Sequence, residues 1–208
     1  MNAPETADDG ATIRDAEATR RRILAAALEE FAEKGIDGAR VDRIAERARS
    51  NKRMLYHHFG SKEGLYRAVL HQRLAERPAL GSEDVAAATR LADVFRTLRA
   101  SPQYLRLLMW EALERGDAPE AEEVRRDSLR HNVSLVRAER GERIDPADDV
   151  DASFVVLAEL ALAAFPLAFP QLTRMVTGLD PDARKFARDY SGFLASLGEA
   201  IDGLTATS

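Results

Sequence analysis

The sequence predicts an all-α protein in which a small three-helix unit, built around a helix-turn-helix, precedes a larger helical bundle. Three observations carry that expectation. Apolar residues recur at helical spacing through most of the 208 residues. No run alternates β-branched and polar residues as a half-buried strand would. Glycine and proline gather in short breaks between the periodic segments.

Residues 1–14 read as a disordered tail, because "MNAPETADDGAT" is acidic, and its lack of an apolar core also argues against a signal peptide. The first helix is expected from Glu17 to Lys34, where Leu24, Leu28 and Phe31 recur at i, i+4 and i+7 and Gly35 follows as a terminator. A loop, "GIDGAR", leads to a short helix over Val41–Ala48 with Val41, Ile44, Ala45 and Ala48 on one side. After a turn, a third helix spans Lys52–His58 and ends in "FGS"; Ser61 then sits as the N-cap of a fourth helix running to Glu76. Pro78, Gly81 and Ser82 mark the clearest break. Beyond it, helices are expected near 83–100, 102–115, 119–140, 147–168 and 181–202, the last introduced by Asp180 as cap and Pro181 at the first turn. The tract "FVVLAELALAAFPLAF" carries Glu159 and Pro166 and is shorter than the roughly 20 residues of a membrane span, so it reads as a buried helix and no membrane partner is expected.

Composition narrows the chemistry. With 45% hydrophobic and 31% charged residues the chain is ordinary for a globular protein. The absence of cysteine excludes disulfide and thiolate chemistry and fits a reducing cytoplasm. No G-x-S-x-G, Walker-type loop, G-x-G-x-x-G or H-E-x-x-H occurs, so neither catalytic residues nor a cofactor are expected. The net charge of −5 conceals an asymmetry: Ala11–Pro78 holds 15 Lys and Arg against 10 Asp and Glu, whereas 79–208 holds 15 against 22. One end is suited to a polyanion and the other is not.

That basic end contains "NKRMLYHHFGSKEGLY", Asn51–Tyr66. Two short helices joined by a tight turn, with Ile44, Ala48, Leu55 and Phe59 inward, make a helix-turn-helix: the first helix braces the second, whose outer face meets base edges. With Leu55 and Phe59 turned in, Lys52, Arg53, Met54, Tyr56 and His57 are left near the surface. Lysine and arginine suit phosphate or guanine, and a tyrosine hydroxyl suits a phosphate oxygen. Met54 fits either a thymine methyl or its own domain. Adjacent His57 and His58 point about 100° apart and have no further ligand at metal spacing, so no metal site is expected. Arg43, Asn51 and Lys62 complete the candidate double-stranded DNA-binding set.

"RRILAAALEEFAEKG", "VDRIAERA" and "NKRMLYHHFGSKEGLY" together resemble the N-terminal domain of TetR-type regulators, over about residues 18–70. The resemblance implies a DNA-binding domain at 15–62 and a ligand-binding and dimerisation domain at 63–208. It also implies phosphate contacts by Tyr56 and Lys62 and a cytoplasmic repressor released from a palindromic operator by a small, apolar effector. Trp110, Phe154 and Phe165 are the candidate pocket residues. Two departures stand out. Arg49-Ser50-Asn51 replaces a glycine-led turn, so Arg49 is expected to cost about 1 kcal/mol or to change the turn. Arg40 stands where Thr or Ser caps the second helix, so that cap is lost or moved. A helical adaptor that keeps the fold but binds protein is the alternative.

The final helix carries a wide apolar stripe, and the helix near 147–168 is apolar nearly all round. More apolar face than one body covers points to a homodimer through about 150–202, with Leu160, Ala164, Phe186, Tyr190, Phe193 and Leu197 as interface candidates.

Overall fold

The computed structural model describes residues 8–76, 87–116, 119–139 and 150–205. Among them are ten helices and no strand: α1 (Asp8–Gly38), α2 (Val41–Arg47), α3 (Lys52–Phe59), α4 (Lys62–Glu76), α5 (Ala87–Ala100), α6 (Pro102–Arg115), α7 (Glu122–Glu139), α8 (Val150–Ala168), α9 (Pro170–Thr177) and α10 (Arg184–Thr205). The all-α expectation holds.

Three element expectations need correction, one of them the start of α10: it lies at Arg184 and not at Pro181, and Asp180, expected as its cap, accepts Asp182 N–H at 2.9 Å in the turn before it. Helix α1 begins at Asp8, not Glu17, so residues 8–14 of the expected tail are helical, while 1–7 lie outside the described residues. Its helical conformation does stop at Gly35 (φ 71, ψ −180), where the sequence placed the end. Helix α9 was not expected at all. Pro170 forces Phe169 out of helical geometry (φ −123, ψ 64) and then serves as the first residue of a new helix, which Gly178 closes at φ 69 with its N–H on Arg174 O. Thr173, buried, donates its hydroxyl to Pro166 O at 3.2 Å and so staples α9 to α8.

The chain forms two compact units. The first comprises Met1–Arg73 with Arg106–Ala121, and the second Leu74–Leu105 with Glu122–Ser208. The compact division therefore falls within α4 and within α6. In the first unit Ile23, Ala27, Phe31 and Ile36 of α1 are buried, as are Ile44, Leu55, Leu65, Tyr66, Leu70 and Leu107. Phe31 meets Tyr66 edge-on at 5.1 Å between centroids, and the Tyr66 hydroxyl donates to Leu107 O at 3.3 Å. An aromatic edge contact plus a satisfied phenol fixes α1, α4 and α6 to one another.

In the second unit α5 lies along α10 and α8. Leu91, Val94, Phe95, Leu98, Ala163, Phe186 and Leu194 form its core, and Val136, Ala152 and Val156 form a smaller cluster between α7 and α8. One ion pair is buried with them: Arg90 Nε donates to both Glu159 oxygens at 3.2 Å, and its Nη2 donates to Oε1 at 2.7 Å. No single helix among the described residues is long and apolar enough to cross a membrane; α8 and α9 would suffice together by length and composition but meet at 90°.

Candidate nucleic-acid interface

The helix pair at 41–59 is built as a rigid wedge. Ile44, Ala45 and Ala48 on α2 and Leu55 on α3 are all buried, and α2 packs on both α1 and α3. The turn is closed by Ala48 N–H to Ile44 O (2.9 Å), Arg49 N–H to Glu46 O (3.0 Å) and Ser50 N–H to Ala45 O (2.9 Å). Arg49 has φ 50, the left-handed conformation that glycine adopts without penalty. The turn has thus kept its shape and placed the strain on Arg49. Arg49→Gly is expected to raise unfolding free energy by roughly 0.5–1 kcal/mol, read as a higher thermal midpoint; an unchanged or lower midpoint would show that Arg49 is not strained.

The cap that Arg40 cannot supply has moved to α1. Arg40 makes no side-chain cap bond, but its N–H donates to Glu30 Oε1 at 3.2 Å. Glu30 is 0% exposed, and Arg43 and Arg47 bring guanidinium nitrogens within 3.8 Å and 3.6 Å of its carboxylate. An acid faces the positive end of α2 here, which is favourable. Arg43, a candidate for DNA contact, is therefore held at its own helix by Glu30. The sequence reading missed Glu30, although it falls at i+7 from Ile23 and i+3 from Ala27, on the buried face of α1.

On α3 the predicted residues separate by environment. Asn51 is exposed, and its side chain is the N-cap: Oδ1 accepts Met54 N–H at 2.9 Å. Lys52 is exposed and paired with Asp42 at 2.7 Å; this hydrogen bond raises its pKa and secures its positive charge. Arg53, Tyr56 and His57 are exposed at i, i+3 and i+4, on one face of the helix, and Arg53 has no ion pair or hydrogen bond among the described residues. Met54 is half-buried.

Phe59, expected inward, is only half-buried and lies under the Arg20 guanidinium, 5.5 Å from its centroid. Arg22 Nε donates to Ala48 O at 3.3 Å, so a second α1 arginine closes the C-terminus of α2. Both roles were missed, and the run Arg20-Arg21-Arg22 before the apolar stripe was their signal.

Ser61 caps α4 as expected, its Oγ accepting Gly64 N–H at 3.0 Å. A Cβ at Gly64 would stand 2.1 Å from Phe59 O, so only glycine permits this close junction of α3 and α4. Lys62 is half-buried and its ammonium donates to Asp37 O (3.3 Å) and Ala39 O (3.4 Å), so it serves the α1–α2 loop where a phosphate contact was expected. Among the described residues no group of three or more acids and histidines could hold a metal ion.

The pocket and interface candidates are redistributed. Trp110 is half-buried in the first unit, whereas Phe154 and Phe165 belong to the second and are 61% and 52% exposed on α8. Phe186 is 3% exposed and is core, so it cannot face another copy. Tyr190 stacks on Phe186 with 5.1 Å between centroids and donates its hydroxyl to Leu162 O at 2.9 Å; Leu160, Ala164 and Leu197 pack against the same core. Phe193 alone of the six stands out, 55% exposed. Leu157, Leu172, Met175 and Val176 are also exposed and were not foreseen.

A braced helix pair, with basic and aromatic side chains on the free face of its second helix, defines a helix-turn-helix DNA-binding protein. The model of bacterial regulatory proteins of the tetR family matches residues 23–69, and that of the tetracyclin repressor-like C-terminal domain matches 60–189. The chain is similar to the HTH-type transcriptional repressor SCO4008 of Streptomyces coelicolor, 38% identical over 172 residues that cover 79% of this chain and 86% of that protein. It is 32% identical to the HTH-type transcriptional repressor NicS of Pseudomonas putida over 54% of this chain and 57% of NicS. The solved structure of SCO4942 from Streptomyces coelicolor superposes with a TM-score of 0.68 at 30% identity, covering 88% of this chain and 97% of that one. The chain belongs to the TetR family and is a DNA-binding transcriptional regulator.

Proposed function

We propose that the protein is a repressor that binds a near-palindromic double-stranded operator as a homodimer and leaves it when a small, apolar effector occupies the body. One observation carries the DNA half of this reading: Arg53, Tyr56 and His57 share an exposed face of α3 while Leu55, on the opposite face, is buried. A side chain held on a packed helix loses little freedom on binding, and an unpaired guanidinium can fork onto guanine or bridge a phosphate. In this reading residues 15–62 bind DNA and 63–208 hold the effector and the partner copy. Lys52, Arg53, Met54 and His57 stand near bases, and Tyr56 stands on phosphate. Arg43 and Lys62 support the helices, since each already has partners within its own unit.

The dimer reading rests on α8 and α9, where Phe154, Leu157, Phe165, Leu172, Met175 and Val176 are exposed, and on Phe193 of α10, which is exposed as well. Large apolar side chains left in water favour a partner, and an isologous pair would give two recognition helices on one duplex. The adaptor alternative leaned on the unusual turn; because the turn keeps its geometry, nothing now favours it over DNA.

Selection from a random duplex pool at two salt concentrations tests the reading, with a palindromic winner expected. Arg53→Ala should then weaken the selected duplex by roughly 1–3 kcal/mol and relax one position of the site. Equal binding of both proteins at every salt concentration would refute a DNA role for Arg53.

A further inference from the structure

Helix α2 starts from a loop that has no cap of its own, so whatever holds residues 35–40 sets the angle of the helix pair. Gly35 breaks α1 at φ 71, Ile36 and Ala39 are buried, and Arg40 brings no capping side chain. Besides Glu30, which accepts the N–H of Arg40, three side chains from farther along the chain grip this loop. Lys62 donates to the carbonyls of Asp37 and Ala39. From α6, Glu114 Oε2 accepts the N–H of Ile36 at 2.8 Å and that of Asp37 at 3.3 Å. The next residue, Arg115, reaches the Asp37 carboxylate at 3.4 Å, so α6 touches the loop through both charges. A Cβ at position 35 would lie 2.1 Å from Glu114 Oε1, so a side chain there would push the carboxylate away from the loop.

We propose that Glu114 is a positioning residue for DNA binding: its carboxylate holds the Ile36 and Asp37 peptide groups and thereby fixes the start of α2, on which the recognition helix rests. Anionic acceptors bind two converging N–H groups more strongly than a neutral carbonyl does, and the loop offers that pair of donors because Gly35 turns the chain out of the helix. Lys62 takes the outward carbonyls of the same loop, so an acid and a base clamp it by its two kinds of backbone group. The DNA-reading module thus depends on a residue of α6, far outside residues 15–62.

The test uses the full chain. Amide exchange is read by NMR without DNA, and affinity is read on the duplex selected above. In Glu114→Ala, exchange at Ile36 and Asp37 should rise by about 10-fold or more while Leu55 and Tyr66 amides stay protected. Affinity for the duplex should fall by about 5- to 20-fold, and Glu114→Gln, which keeps an acceptor but loses the charge, should recover part of both. Gly35→Ala should show the same local exchange, and adding Glu114→Ala to it should change little, because the methyl has already displaced the carboxylate. Unchanged exchange at the two amides would overturn the proposal. So would equal acceleration throughout the unit, which marks plain destabilisation, or full affinity despite faster local exchange. If the wild type selects no duplex, the DNA reading fails by itself, and the exchange measurements still decide whether Glu114 holds the loop.

Discussion

Glutamate at both Phe154 and Leu157 is expected to produce a folded monomer whose affinity for its operator falls by about 10²–10⁴-fold. The two side chains are 61% and 60% exposed, one helical turn apart on α8, and the core of the second unit does not include them. Charging them therefore leaves the chain's own packing intact. In a two-fold seam the same substitutions set like charges against one another in a desolvated face, which a dimer cannot absorb. Each monomer would then hold a half-site without the effective concentration that a second, tethered recognition helix supplies. Sedimentation measures the mass and a titration measures the affinity. A dimer that survives both charges would move the interface elsewhere on the protein. Phe186→Glu is the contrast: that residue is core, so it should unfold the chain and report nothing about association.

Loss of the buried carboxylate at 159 should cost the second unit much of its stability. Arg90 and Glu159 are 4% and 9% exposed and are joined by the three hydrogen bonds described above. Glu159→Ala removes the carboxylate that accepts three hydrogen bonds from the buried guanidinium, at a cost of about 3–5 kcal/mol, which is a large part of the roughly 5–15 kcal/mol that holds a domain folded. Replacing both partners, as Arg90→Met with Glu159→Leu, removes the charge and refills the volume, and should return most of that stability. Urea unfolding of the two variants decides the matter. Were the double variant as unstable as the single one, packing around the pair, and not its charge, would be what Glu159 supports.

Much of this protein could be read before any coordinates. The period of Leu24, Leu28 and Phe31, the break at Gly35 and the Ser61 cap are local signals, and α1, α3 and α4 obey them. The burial of Ile44 and Leu55 followed from the same spacing, and it left Arg53, Tyr56 and His57 outside. Helix α9 was missed because residues 169–177 lie between two expected helices and carried no expectation, although proline also opens helices.

The sequence alone determined the all-helical class, most of the helices and which residues of α3 look outward, because capping, glycine geometry and apolar period act within a few residues along the chain. Tertiary structure alone decided the roles of Glu30, Lys62 and Glu114, whose partners lie 10 to 78 residues away. It also decided which stripe is core. Phe186 and Tyr190 look like Phe154 and Leu157 in sequence, but α5 covers the first pair and nothing in the described chain covers the second. An amphipathic pattern says that a face seeks an apolar neighbour, and only the packed chain says whether it has already found one.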